Sequence, residues 1–147
     1  MGAPSNTNPP PDEQRAHLAN CRVIAVVGLS PHPNRDSHRV AAYLQAVGYH
    51  IVPIHPRVAE QGGSVLGEKA YATLTDAARD LTIDLVDVFR RSEDVPPVVD
   101  EAIAIGARGL WLQQDIVHDE AAARARAAGL WVVQDRCLMV DHRRLLG

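Results

Sequence analysis

The stretch Arg22-Val-Ile-Ala-Val-Val-Gly28 decides the fold of this chain of 147 residues. A continuous apolar run stopped by a glycine is typical of a strand buried on both faces of a parallel sheet. The loop Gly28-Leu-Ser-Pro-His-Pro-Asn-Arg-Asp-Ser37 follows, and apolar side chains then recur at helical spacing, for example at Val40 and Leu44. We therefore predict a strand, a loop and a helix capped by Ser37, the first unit of a wound α/β sheet.

Outward from this unit, strands and helices alternate along the chain. Apolar runs predict further strands, and amphipathic stretches bounded by capping residues predict helices. The predicted strands after the first are 49–54, 83–89, 109–112 and 130–133; the predicted helices are 12–20, 37–47, 75–80, 92–105, 119–128 and 135–146, with a glycine-containing excursion at 55–69. The predicted fold class is α/β: a Rossmann-like, doubly wound, mainly parallel five-stranded sheet with helices on both faces.

Length and composition predict one domain. A mass of 16.0 kDa fits a single core, and 46% hydrophobic residues are enough to build it. Residues 1–11 are polar and rich in proline, so they bury too little surface to offset their ordering entropy. We expect a disordered tail over 1–11 and a single domain over 12–147.

Charge, hydropathy and cysteine usage exclude several function classes. The net charge of −3 does not favour binding to nucleic acid, and no apolar run approaches the length of a membrane span. The start of the chain lacks the apolar stretch of a signal peptide, and two cysteines do not form a disulfide framework. We therefore expect a cytoplasmic protein that binds neither membranes nor nucleic acid.

The first loop has the features of a phosphate site. It delivers the chain to a helix N-terminus, whose free N–H groups attract anions. Gly28 permits close approach of the backbone, Ser30 and Ser37 offer hydroxyl donors, and Arg35 offers a planar cation suited to phosphate. The alternative is that Ser37 only caps the helix and Arg35 is solvated.

The second loop argues against a standard NAD site. The first loop is not G-x-G-x-x-G, and an NAD enzyme usually places an acid after the second strand. Here the second strand is followed by His55-Pro56-Arg57. A basic residue at this point suits a phosphorylated ribose, which both NADP and coenzyme A (CoA) carry, and the loop alone does not separate the two.

The third and fourth loops add an aromatic ring and polar side chains. Phe89 and Arg90 precede another helix N-terminus, and Phe89 is either a core residue at a strand end or a contact for an adenine or pantetheine group. Gln113 and Gln114 follow the fourth strand as amide donors and acceptors. Ligands of open α/β sheets bind at the carboxyl ends of the strands, so we expect all four loops to share one site.

Motifs for catalysis are missing from the sequence. The histidines lack metal-ligand spacing, and there is no Gly-x-Ser-x-Gly elbow and no Walker A loop. Cys137 is reactive only if Arg136 lowers its pKa, and an inert thiol is the simpler interpretation. We predict no catalytic residue, no metal site and no enzymatic activity.

Taken together, these loops resemble the CoA-binding protein family, whose small stand-alone members are similar to the CoA-binding domain of the succinyl-CoA synthetase α subunit. The resemblance runs from about Cys21 to Val140 and is carried by the following motifs: Val26-Val-Gly-Leu-Ser-Pro31, Arg35 with Ser37-His-Arg-Val40, Gly48-Tyr49 with Pro56-Arg57, Val86-Asp-Val-Phe-Arg-Arg91, Trp111-Leu-Gln113 and Asp135-Arg-Cys137. It implies a Rossmann-like fold that binds CoA or acyl-CoA. The implied contacts are near Gly28, Leu29, Ser30, Arg35, Arg57, Phe89 and the Gln113 loop.

The chain departs from the family pattern at two places. His55 stands where the family usually has Asn, and Asp115-Ile116 stands where it often has a Gly-Val pair. A carboxylate at Asp115 would repel a pyrophosphate unless a cation such as Arg35 or Arg57 lies between them.

Three functions remain open from the sequence. The first is a non-catalytic module for CoA or acyl-CoA, acting as a carrier, a sensor or the partner of an acyl-CoA enzyme. The second is a small NADP-dependent oxidoreductase, and the third is an interaction protein whose nucleotide site has decayed. The predicted partner is a small-molecule CoA ligand, and the sequence does not indicate a protein partner.

Overall fold

A central parallel sheet and the helices around it account for most of the computed structural model, which describes residues 7–147. The strands are β1 (Val23–Val27), β2 (His50–Ile54), β3 (Ser64–Val65), β4 (Glu68–Lys69), β5 (Leu85–Val88), β6 (Gly109–Leu112) and β7 (Trp131–Val133). The helices are α1 (Pro11–Asn20), α2 (Asp36–Ala46), α3 (Pro56–Glu60), α4 (Leu74–Ala78), α5 (Val95–Ala104), α6 (Asp119–Ala127) and α7 (Leu138–Leu146), and a 3₁₀ turn at Ser92–Asp94 precedes α5.

The strand order confirms the predicted doubly wound fold. Five parallel strands pair in the order β2-β1-β5-β6-β7, while β3 and β4 form a separate antiparallel hairpin. Strand β1 pairs with β2 on one side and β5 on the other, so Val26 lies between Pro53 and Asp87. The chain therefore winds first to one side of β1 and then to the other, and a crevice opens at that switch point.

Two apolar layers enclose the sheet, because successive strand residues point to opposite faces. On one face Ala25 and Val27 pack with the buried residues of α4, α5 and α6. On the other face Ile24 and Val26 pack with those of α1, α2 and α7. Helices on both faces cover a sheet of aliphatic residues, which explains why nearly continuous apolar runs form its strands.

The segment between β2 and α4 contains more structure than predicted. The excursion at 55–69 contains α3 and the β3–β4 hairpin. The predicted helix at 92–105 is divided into the 3₁₀ turn and α5, whose second and third residues, Pro96 and Pro97, suit a first helical turn. The last helix begins at Leu138 rather than at residue 135, because Asp135 has a φ of +58°, outside the helical region.

The predicted tail over 1–11 is partly held on the fold. The side-chain amide of Asn8 donates to the Gln134 carbonyl (2.9 Å) and accepts from the Gln134 N–H (2.8 Å), and Pro11 begins α1. Residues 1–6 lie outside the described residues. No helix within 7–147 has the length and apolar content needed to cross a membrane.

Candidate functional site

A cavity of about 620 Å³ lies at the carboxyl ends of β1, β2 and β5, where the strand order reverses. We call it the arginine cavity. Of the predicted site residues, it brings together Gly28, Ser30, Arg35, Ser37, His55, Arg57, Phe89 and Arg90. Three loops that are far apart in the sequence meet here because parallel strands present their carboxyl ends at one edge.

Gly28 directly follows β1 and lines the arginine cavity. Its φ of +86° lies in the region that favours glycine, and a Cβ at this position would overlap the carbonyl oxygen of Phe89. The glycine therefore lets the first and third loops approach each other.

Serine hydroxyl groups shape the loop between β1 and α2. The Ser37 Oγ accepts from the Ser30 N–H (3.0 Å), and the Ser30 Oγ accepts from the His32 N–H (3.1 Å). The prediction that Ser37 caps α2 is wrong, since α2 begins at Asp36 with Arg35 at the N-cap position. The hydroxyl turns to the Ser30 N–H instead, which closes the loop over the helix N-terminus.

The N-terminus of α2 keeps unpaired donors. Arg35 provides no side-chain cap, and within residues 7–147 no hydrogen bond satisfies the N–H groups of Asp36, Ser37 and His38. Such groups attract an anion, because they carry the positive end of the helix dipole. The helix has 11 residues, long enough for an aligned dipole.

Three guanidinium groups surround the same cavity. Arg35 comes from the first loop, Arg57 from α3 and Arg90 from the loop after β5. Among the described residues none of the three has a carboxylate within ion-pair distance, whereas their neighbours Arg39 and Arg91 pair with Asp36 and Asp94. The cavity therefore holds uncompensated positive charge in a protein whose net charge is −3.

His55 links the cavity wall to α3. It is the N-cap residue of α3, and its Nδ1 accepts from the Val58 N–H (3.2 Å). Burial, and next the positive charge of Arg90, lower the pKa of His55 below its ordinary value. An asparagine would cap the same helix with its side-chain oxygen, so the family's usual residue and His55 can perform one structural role.

Four predicted residues do not line the arginine cavity. The Leu29 side chain is fully buried in the apolar layer beneath α2. Pro56 is exposed at the start of α3. Gln113 is buried, and its Oε1 accepts from the Leu138 N–H (3.2 Å), so this side chain bonds to the first residue of α7. Gln114 faces a separate cavity beside Cys137.

Sequence reasoning missed five lining residues, which are Pro31, His32, Asp36, Val58 and Gln61. Pro31, His32 and Asp36 belong to the first loop, which the sequence predicts as part of the site. Their position within that loop could therefore have indicated them. Val58 and Gln61 enter through α3, a helix of five residues whose existence the pattern after His55 did not reveal. Asp36 brings a carboxylate to the cavity, but Arg39 pairs with it.

Asp115 lies outside the arginine cavity, so the predicted repulsion of a pyrophosphate does not arise there. It lines the second cavity, about 360 Å³ in volume, together with Gln114, Arg136 and Cys137. Its φ of +70° explains why the family often has glycine at this position. The Arg136 guanidinium donates to the buried carboxylate of Asp141 (3.0 and 2.5 Å).

No group of three His, Cys, Asp or Glu side chains in residues 7–147 is placed to hold a metal.

Comparison with known proteins identifies related sequences. The model of a family described as a CoA binding domain matches residues 22–143. The protein YneT of Bacillus subtilis, described as uncharacterized, is 40% identical over 135 residues, which cover 92% of this chain and 96% of YneT.

Solved structures share the fold. A Thermus thermophilus protein designated cell-free ID.343 is 38% identical and superposes with a TM-score of 0.87, covering 94% of this chain and 100% of that one. The dinucleotide forming acetyl-coenzyme A synthetase 1 of Ca. Korarchaeum cryptofilum is 23% identical with a TM-score of 0.69, covering 80% of this chain and 26% of the larger one. At that identity the second likeness is one of fold.

Proposed function

Because the chain belongs to the CoA binding domain family, we propose that it binds coenzyme A or an acyl-CoA in the arginine cavity, as a stand-alone module without catalytic activity. The biological role we propose is that of a carrier, a sensor or a partner of an acyl-CoA enzyme. The cytoplasmic location stays a prediction from the sequence.

The observation that carries the proposal is the set of three guanidinium groups in one cavity with the α2 N-terminus, none of which has a carboxylate partner within residues 7–147. CoA carries a diphosphate and a phosphorylated ribose, so it needs several cations within one ligand length. Arg35 lies beside the α2 N-terminus, while Arg57 and Arg90 come from the two flanking loops. Bidentate hydrogen bonds from guanidinium to phosphate oxygens supply both affinity and orientation.

The proposed lack of catalysis rests on the missing sequence motifs and on the architecture of the described residues. Hydride transfer needs a substrate region beside the nucleotide site, and residues 7–147 form a five-stranded sheet with its covering helices and one short hairpin. The acetyl-coenzyme A synthetase that shares the fold is a much longer protein, of which this chain covers 26%. We propose that any chemistry on the bound thioester takes place in a partner enzyme.

Isothermal titration of the purified protein with CoA, acetyl-CoA, NADP and NAD tests the proposal. We expect binding of both CoA species and none of NAD, because the second loop offers Arg57 where an NAD site would have an acid. Heat with NADP and none with either CoA species would overturn the proposal in favour of an NADP protein. No heat with any of the four would favour the decayed site.

Thermal unfolding gives an independent measurement. A ligand at about 100 times its Kd adds about 2.7 kcal/mol to the free energy of unfolding. We expect CoA to raise the melting temperature by an amount that follows the logarithm of the CoA concentration divided by the Kd measured by titration. NADPH mixed with small carbonyl compounds provides the enzymatic control, and a steady loss of NADPH absorbance would contradict a non-catalytic role.

A further inference from the structure

We propose that His55 takes up a proton when a phosphorylated ligand enters the arginine cavity, so that ligand binding tightens as the pH falls from 8 toward 6. This inference rests on the proposed function, since it takes the arginine cavity to be the phosphate site. It adds a regulatory property that the family match does not contain.

The first step concerns the ring proton of His55 as the structure places it. An imidazole nitrogen that accepts a hydrogen bond carries no proton. Since Nδ1 accepts from the Val58 N–H (3.2 Å), the neutral ring carries its one proton on Nε2. A second proton would have to enter at Nδ1, where the cap of α3 would be lost.

The second step concerns the charges that face this ring. Arg90 approaches from the loop after β5, Arg57 from α3 and His32 from the loop after β1, and Arg35 and Asp36 line the same cavity. Partial burial is the largest cause of the lowered pKa of His55, and Arg90, Arg57 and His32 act in the same direction, while a backbone hydrogen bond of His55 acts against them. Burial and these positive charges therefore disfavour protonation of His55 in the absence of an anion.

The third step is the change that a ligand brings. A bound phosphate offsets the charge of the nearby guanidinium groups and places an acceptor beside the ring, so both changes favour imidazolium over imidazole. The phosphate also gives the ring N–H groups a new partner, which compensates for the lost bond to Val58. Proton uptake and phosphate binding are then linked, and each strengthens the other.

The test is isothermal titration with CoA at pH 6.0 and 8.0 in two buffers of different ionisation enthalpy, which counts the protons taken up. The variant His55→Asn keeps an N-cap side chain and a donor but does not titrate. At pH 6.0 we expect wild type to take up roughly a quarter to one proton more than His55→Asn. At pH 8.0 the two proteins should both take up few protons on binding, and in equal number. The ratio of the CoA affinity at pH 6.0 to the CoA affinity at pH 8.0 should be about three- to tenfold larger for wild type than for His55→Asn.

His118→Asn is the matched control, because His118 caps α6 in the same way, with Nδ1 accepting from the Ala121 N–H (3.1 Å), and does not line the arginine cavity. It should behave as wild type does. His32→Asn separates the second histidine of the cavity. Equal uptake in wild type and His55→Asn, or loss of the uptake in His32→Asn alone, would overturn the inference while leaving CoA binding intact.

Failure of the proposed function is seen separately. If CoA gives no heat at either pH, the proposed function fails, and the proton count is repeated with inorganic pyrophosphate on wild type and His55→Asn. A larger uptake by wild type would then sustain the role of His55 in anion binding. Equal uptake, or no binding of pyrophosphate, would overturn it as well.

Discussion

Gly28 lies against the carbonyl group of Phe89, so closely that a Cβ on Gly28 would overlap the carbonyl oxygen. The contact joins the ends of β1 and β5, the two strands that flank the switch point of the sheet. It places the loop between β1 and α2 beside the only phenylalanine of the chain. The fold and the candidate site therefore depend on the same glycine.

Gly28→Ala should destabilise the protein by about 2 to 4 kcal/mol, the sum of a left-handed backbone penalty and an overlap in a packed region. Urea unfolding measures the loss. Gly106→Ala is the control, because Gly106 has a φ of +75° and no atom within 4 Å of a built Cβ. Gly106→Ala should lose only the part of the free energy of unfolding that comes from the left-handed backbone penalty. An equal loss in both variants would show that the Phe89 contact does not constrain Gly28.

Arg35→Ala should weaken CoA binding about ten- to a hundredfold, since a charge-assisted hydrogen bond contributes roughly 1.5 to 3 kcal/mol. Its folding stability should change little, because the side chain is exposed and has no ion pair among the described residues. Titration of Arg35→Ala and Arg90→Ala with CoA shows which of the two loops contributes more to the binding affinity. Exposed Arg79, which pairs with Asp76 (3.5 Å), supplies the control Arg79→Ala. Normal binding by Arg35→Ala together with a large loss in Arg90→Ala would mean that the phosphates lie at the third loop.

Asp87→Asn should remove a pH dependence of stability. Asp87 is fully buried between β1 and β6, neither carboxylate oxygen has a partner among the described residues, and burial raises its pKa well above the ordinary value. The folded state therefore keeps a proton that the unfolded chain loses near pH 4, so stability falls as the pH rises from about 4 through the folded-state pKa.

Urea unfolding at pH 5, 6, 7 and 8 measures this effect of Asp87. The advantage of Asp87→Asn over wild type should grow with pH, by at most about 1.4 kcal/mol per unit. Asp12→Asn, at an exposed position of α1, should follow the wild-type slope. A wild-type slope in Asp87→Asn would show that the carboxyl group is ionised in the folded protein.

Iodoacetamide at pH 8 should label Cys137 well before Cys21 in the native protein. Burial raises the pKa of Cys21 to about 12, so almost none of its thiolate is present, while Cys137 is partly exposed in the second cavity. Peptide mapping by mass spectrometry follows both sites. In guanidinium chloride the two rates should become similar, and comparable native rates would mean that the end of α1 opens readily.

The sequence predicted three of the four site loops, and the reason is topological. Once Arg22–Gly28 is recognised as a buried parallel strand, the loops after β1, β2 and β5 must meet at one edge. The fourth loop follows β6, which β5 separates from the switch point. In this loop the Gln113 side chain accepts a hydrogen bond from the first turn of α7. That contact joins residues 25 positions apart, and no local sequence pattern reveals it.

Capping roles also depended on tertiary contacts. Ser37 has the residue type of an N-cap, yet Arg35 takes that position and the Ser37 hydroxyl accepts from the Ser30 N–H (3.0 Å). His55 is an unusual cap, and its role follows from the short helix α3 that begins directly after β2, where the His55 N–H donates to the Tyr71 carbonyl (2.9 Å). Side-chain hydrogen bonds depend on distances that the fold sets, so residue type alone does not choose between partners.

The sequence by itself determined the wound α/β fold, the glycine at the end of β1 and the cationic character of the loops, because apolar periodicity and residue chemistry are local properties. Only the tertiary structure decided which loops share a cavity, that Arg35, Arg57 and Arg90 stand without carboxylate partners in residues 7–147, and that Asp115 lies elsewhere. Those outcomes depend on strand order and on the competition among neighbouring groups for each hydrogen bond, which arise only when distant segments pack together.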